Sequence, residues 1–87
     1  MSVTVELTYD MSKALGLRRF DVDGARTVRD VLRLTRERFG DRAAEFEKLT
    51  RVTAVAVNGV LVNHRRGLHT EVADGDTVMF LKAAAGG

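Results

Sequence analysis

The residue order predicts an α+β domain, a mixed sheet of four to five strands with one main helix across a face. Three observations carry that expectation. Runs of alternating apolar and polar residues recur toward both ends of the chain, one well-capped helical period lies between them, and Asn-Gly and Asp-Gly pairs punctuate the strands.

Val3, Val5, Leu7 and Tyr9 alternate with Thr4, Glu6 and Thr8, which describes a strand with one buried face. Residues 10–16 are expected to form a loop. Residues 17–23 then give a second strand with Phe20 and Val22 on one face, closed by Asp23-Gly24, so the two strands are expected to pair as an antiparallel hairpin. The clearest helix follows. Thr27 suits the N-cap and Asp30 stands three residues later, close to the capping-box pattern. Val28, Val31, Leu32, Thr35 and Phe39 share one helical face, while Arg29, Arg33, Arg36 and Glu37 fall largely on the other. Gly40 is expected to terminate the helix. Asp41 is expected to cap a shorter one, with Ala43, Phe46 and Leu49 directed inward.

Residues 52–58 return to strand, and Asn58-Gly59 is a two-residue turn signal because both residues favour positive φ. Residues 60–62 make a short strand and residues 63–70 are irregular. Asp74-Gly75-Asp76 forms another turn before a last strand from Thr77 to about Leu81. A helix-bearing crossover separates the halves of the sheet, so the first and last strands are expected to lie side by side and parallel.

Eighty-seven residues suffice for one domain. A hydrophobic content of 45% argues for a folded globule. The absence of cysteine excludes disulfides, thiolate metal sites and a cysteine nucleophile. The first residues lack a basic lead and apolar block, and no stretch approaches membrane-spanning length, so the cytoplasm is the expected location and no membrane partner is expected. The net charge is +2, with 30% charged residues of both signs. Arg26, Arg29, Arg33, Arg36 and Arg38 are interleaved with Asp30 and Glu37 and lack an aromatic stacking platform, so they describe a solvated helix face and no nucleic acid is expected as partner. His64 and His69 stand without a cysteine or a well-placed carboxylate, and no metal site is expected. Gly40, Gly59 and Gly75 occur singly, so no phosphate-cradling loop is present. No nucleophile–base constellation appears, and the chain is not expected to be an enzyme.

The stretch with distinctive chemistry is the last one, Val78-Met79-Phe80-Leu81-Lys82-Ala83-Ala84-Ala85-Gly86-Gly87. It starts as a strand, passes into small residues and ends on two glycines. The expected division is a domain over residues 1–82 and a flexible tail over residues 83–87. Extended from Lys82 to Gly87, the tail reaches roughly 20 Å at about 3.3–3.6 Å per residue. Ala84, Ala85 and Gly86 form a slim arm that fits a narrow channel, and Gly87 offers its carboxylate at the tip. On the last strand Met79 and Leu81 share one face and Phe80 points the other way. Phe80 is expected in the core, with Met79 and Leu81 outward for a partner; the three together form the expected docking set.

Ala56-Val57-Asn58-Gly59, Ala73-Asp74-Gly75-Asp76-Thr77-Val78 and the terminal Gly86-Gly87, in that order and spacing, resemble the ubiquitin-like β-grasp sulfur carriers of the MoaD/ThiS family over essentially the whole chain. The resemblance implies a β-grasp fold and a role as cosubstrate. A ubiquitin-activating-type adenylyltransferase would use ATP and Mg to adenylate the Gly87 carboxylate. Sulfur would then displace AMP, leaving a thiocarboxylate for a sulfur-accepting biosynthetic enzyme. The carrier itself would bind no cofactor. Lys82-Ala83-Ala84-Ala85 departs from molybdopterin-type carriers, which often have prolines and a valine there. Molybdopterin, thiamine, cysteine, tRNA-thiolation and specialised-metabolite pathways stay open. Two other functions compete: a protein modifier joined through Gly87 to target lysines, and a non-covalent β-grasp binding module.

Overall fold

The computed structural model describes residues 1–83. Strand β1 (Ser2–Glu6) pairs antiparallel with β2 (Arg19–Asp23), placing Val3 opposite Val22 and Val5 opposite Phe20. These four side chains are buried on one face, as their alternation requires. The connection between the strands is not the loop expected over residues 10–16. It contains a helix, α1 (Tyr9–Leu15), capped by the Thr8 hydroxyl, which accepts the Met11 N–H at 3.0 Å. Gly16 closes it at φ 78°, an angle that side chains disfavour. The helix forms because Met11 and Leu15, four residues apart, are buried on the same face.

The main helix, α2 (Val28–Phe39), begins with the full capping box. The Thr27 hydroxyl accepts the Asp30 N–H, and the Asp30 carboxylate accepts the Thr27 and Arg26 N–H groups at 3.2 and 2.9 Å. Its buried stripe is Val28, Val31 and Thr35, with Leu32 and Phe39 packed at the margin. Gly40 does not simply end the structure. It opens a 3-10 turn, Gly40–Arg42, that leads straight into α3 (Ala43–Thr50), so Asp41 lies inside the turn and is not the cap of α3. Phe46 is the buried anchor of α3, with Leu49 beside the core and Ala43 half-buried.

The chain then forms β3 (Thr53–Val57), the Asn58-Gly59 turn and β4 (Val60–Leu61). Both turn residues have positive φ, 49° and 85°, the geometry that matches the twist of a two-residue hairpin. Val62 leaves the sheet as the start of a 3-10 turn, Val62–His64, and a second turn, Gly67–His69, follows. The last strand, β5 (Thr77–Lys82), lies parallel to β1 and antiparallel to β3. The five strands thus run in the order β2-β1-β5-β3-β4, the expected mixed sheet with the expected parallel central pair.

The core lies between the sheet and the helices. A run of rings crosses it, Phe20 to Phe39 to Phe46 to Phe80, with centroids 6.0, 5.6 and 5.8 Å apart. It joins β2, α2, α3 and β5, so the strand that leads to the tail is packed on α3 and, through Phe46, linked to α2.

Candidate functional site

The two turn segments that stand out in the sequence meet at the start of β5. The Asn58 side chain donates to Asp76 Oδ1 at 2.9 Å and accepts the Thr77 N–H at 2.9 Å. Asp76 Oδ2 accepts the Ala73 N–H at 2.8 Å. The backbone seals the same junction, with the Asn58 N–H on the Thr77 carbonyl, the Thr4 N–H on the Asp76 carbonyl and the Gly75 N–H on the Ser2 carbonyl. The Asn58 amide, foremost, and the Ala73 N–H hold the Asp76 carboxyl below its ordinary pKa. These residues fix where β5 enters the sheet. Their role is structural.

The opposite end of β5 leads to the root of the tail. Phe80 is only 2% exposed, packed on Phe46, and so belongs to the core; it is not available to a partner. Met79 is half-buried and Leu81 is 37% exposed on the other sheet face, opposite Ala56 and Ala54 of β3. Beyond Lys82 the chain is still held, since the Ala83 N–H donates to the Val52 carbonyl at 3.2 Å. Ala84, Ala85, Gly86 and Gly87 lie outside the described residues.

Sequence reasoning missed what surrounds the tail root. A depression of about 420 Å³ lies there, bordered by Asp10, Met11, Leu49, Arg51, Val52 and Lys82. A second, of about 280 Å³, runs along β5 past Glu6, Tyr9, Met79 and Leu81, and Thr8 and Lys82 border both. Tyr9 and Val52 are 61% and 64% exposed, so with Leu81 three large apolar side chains stand exposed on the borders of these two adjoining depressions. Clustered exposure of this kind marks a contact surface, whereas scattered exposed apolar residues do not. Val52 follows α3 directly and Tyr9 belongs to the unforeseen α1. Only the folded arrangement brings them to Leu81.

Elsewhere the surface is ordinary. Arg33 pairs with Asp30 and Glu37, and Arg36 with Glu47 at 2.7 Å, which raises the pKa of Arg36. His64 and His69 are exposed. Among the described residues no group of three or more His, Cys, Asp or Glu could hold a metal ion, and no helix is long and apolar enough to cross a membrane.

The ThiS family model matches residues 12–87. The chain belongs to the ThiS family. A chain of the Amycolatopsis orientalis BexX/CysO complex is 35% identical, with a TM-score of 0.75, over 98% of this chain and 99% of that one. CysO of Mycobacterium tuberculosis is 25% identical at a TM-score of 0.77, over 94% and 99% of the two chains. The small archaeal modifier protein SAMP1 of Haloferax volcanii is 27% identical at a TM-score of 0.70, over the full length of both. Comparison of the sequence with curated proteins gives no match. This ThiS-family chain is therefore a β-grasp, ubiquitin-like sulfur carrier, a protein substrate and not an enzyme.

Proposed function

We propose that the Gly87 carboxylate is the group that carries sulfur, and that the apolar collar around the root of the tail docks the enzyme that activates it. The observation that carries this reading is the juxtaposition in a ThiS-family chain of a diglycine end and an exposed collar of Tyr9, Val52 and Leu81. The four residues beyond Ala83 reach at most about 14 Å when extended. An enzyme seated on the collar therefore has the Gly87 carboxylate within its own active-site cleft, while the carrier's body stays outside.

The chemistry asks nothing catalytic of the carrier. A carboxylate is a poor electrophile, so a ubiquitin-activating-type adenylyltransferase, using Mg-ATP, joins one carboxylate oxygen to the α-phosphorus with loss of pyrophosphate. A sulfide sulfur then attacks the acyl carbon and AMP leaves with that oxygen. The product is a thiocarboxylate on Gly87, which a biosynthetic enzyme consumes. No side chain on Gly86 or Gly87 obstructs the attack. Met79 and Leu81 supply apolar contact on the exposed sheet face, and Lys82 and Arg51 supply charge at its edge. By analogy with the relative found in the BexX/CysO complex, the consuming enzyme also binds this chain as a protein partner.

A second reading, conjugation of Gly87 to target lysines, is favoured by the similarity to SAMP1, named as a modifier. One experiment separates the two. The chain is incubated with its activating enzyme, Mg-ATP and sulfide, and intact mass is measured alongside a gel. Replacement of one oxygen by sulfur, abolished by deletion of Gly87, is the expected result. Higher-mass conjugates without the sulfur product favour the modifier, and no change in either readout overturns both.

A further inference from the structure

The segment between β4 and β5 carries a surface that the carrier role does not use. Residues 58–70 contain no Asp or Glu but include His64, Arg65, Arg66 and His69, all four exposed. The segment is nonetheless firmly held. Val62 and Thr70 anchor it in the interior. The Thr70 hydroxyl accepts the Arg66 N–H at 3.1 Å, and the Thr70 N–H donates to the Gly67 carbonyl at 3.0 Å. Leu68 stands 47% exposed on this turn, flanked in the chain by Arg66 and His69.

The Val28 N–H donates to the Thr70 carbonyl at 2.9 Å, which sets the segment against the first turn of α2, where Arg29 is exposed. A depression of about 370 Å³, bordered by Leu32, Val55, Leu61 and Leu68, opens between them. Another, of about 360 Å³, is bordered by Arg29, Phe46 and the Arg36–Glu47 pair. Leu32 and Thr50 border both, so the two adjoin as one trough, apolar at the Leu68 end and basic at the Arg29 end. The cations around it differ in what they already hold. Arg33 pairs with Asp30 and Glu37, and Arg36 with Glu47. Asp76, its pKa lowered foremost by the Asn58 amide, also feels the Arg65 charge. Arg29 and Arg66 have no salt bridge among the described residues. An exposed leucine beside unpaired cations complements an apolar anchor set among carboxylates.

We infer that this trough docks an acidic segment of a partner protein. An apolar side chain of the segment seats among Leu32, Leu61 and Leu68, and its carboxylates meet Arg29 and Arg66. A second copy related by a two-fold axis is opposed, because the same surface on both copies sets these cations against themselves. A nucleic acid is opposed because the aromatic rings bordering the trough, Phe46 and Phe80, are buried and offer no stacking platform. Tyr9, Val52 and Leu81 do not border the trough, so this surface is distinct from the collar. It also needs nothing of Gly87 and serves the carrier with or without sulfur.

The test uses the full chain, isotope-labelled, and two synthetic peptides of equal length, one of leucine and glutamate and one of leucine and lysine. The glutamate peptide is expected to shift the Arg29, Leu32 and Leu68 amides, and the lysine peptide to leave them in place. Leu68→Ser, and separately Arg29→Glu combined with Arg66→Glu, are each expected to weaken binding at least about fivefold while the unbound spectrum stays intact. A glutamate at position 29 suits the N-terminal turn of α2, so the double variant keeps its helix. Added salt is expected to weaken binding by the parent chain more than by the double variant. No binding of the glutamate peptide, equal binding of the lysine peptide, unchanged affinity of both variants, or shifts confined to Tyr9, Val52 and Leu81 would each overturn the proposal. Tighter binding of a uridine oligonucleotide at the same amides would overturn it in favour of RNA, and concentration-dependent shifts of Leu68 without peptide in favour of a second copy.

Discussion

Asp76 reaches across eighteen residues of sequence to Asn58, and its charge is what the reach depends on. With its folded-state pKa depressed by the Asn58 amide and the Ala73 N–H, the carboxylate contributes stability at neutral pH. That contribution is complete above the ordinary carboxylate value of about 3.9 and is lost as pH falls through that value and below it. Asp30, depressed first by the Arg26 N–H and then by the Thr27 N–H and the Arg33 charge, adds to the same acid limb. Asp76→Asn leaves one acceptor oxygen where there were two. Urea unfolding of this variant is expected to show lower stability at pH 7 and a shallower fall between about pH 5 and pH 2 than the parent chain. Thr35 presents the opposite case. Its hydroxyl is fully buried and has no partner among the described residues. Thr35→Val is expected to stabilise by about 1 kcal/mol, raising Tm by roughly 4–8 °C in a domain of this size. Asn58-Gly59 and Asp74-Gly75-Asp76 are legible in the sequence as turns, because turn chemistry is local. Their mutual clasp is not, since nothing within either segment names the other.

The elements differ in how much of themselves they disclose. Helix α2 shows its cap, its stripe and its end because twelve residues repeat the helical period more than three times. Helix α1 has seven residues and two buried positions, so its pattern is too short to separate from a loop. Its signal is the cap, Thr8 before Tyr9, with Gly16 beyond the last turn. A helix this short has little stability of its own. Thr8→Ala removes the bond to the Met11 N–H and is expected to cost about 1 kcal/mol. Hydrogen exchange should show it first at the Met11 and Ser12 amides, while α2 keeps its protection. Strand β4 was expected to include Val62, yet the chain turns away after Leu61 because Val62 is drawn into the core by the following 3-10 turn.

At the scale of the whole molecule, the fold class, the mixed sheet and the parallel β1–β5 pair are all legible, because long-range pairing follows from strand count and crossover rules. The collar around the tail root is not, because it assembles Tyr9 of α1, Val52 of the turn before β3 and Leu81 of β5. The docking role proposed for it makes a direct prediction. Leu81→Asp places a charge on an exposed position, so thermal stability should change by less than about 0.5 kcal/mol. The activating enzyme's kcat/KM for the chain is expected to fall about tenfold or more, equivalent to roughly 1.4 kcal/mol of lost docking. Equal kcat/KM for the variant and parent would remove the collar from the proposed interface. The position of β5 in the middle of the sheet has a mechanical consequence as well. An enzyme that tugs on the carrier's end loads this strand lengthwise, in shear against both β1 and β3. Many bonds must then yield together instead of peeling off singly, so a pull on the end of β5 meets more resistance than it would on an edge strand.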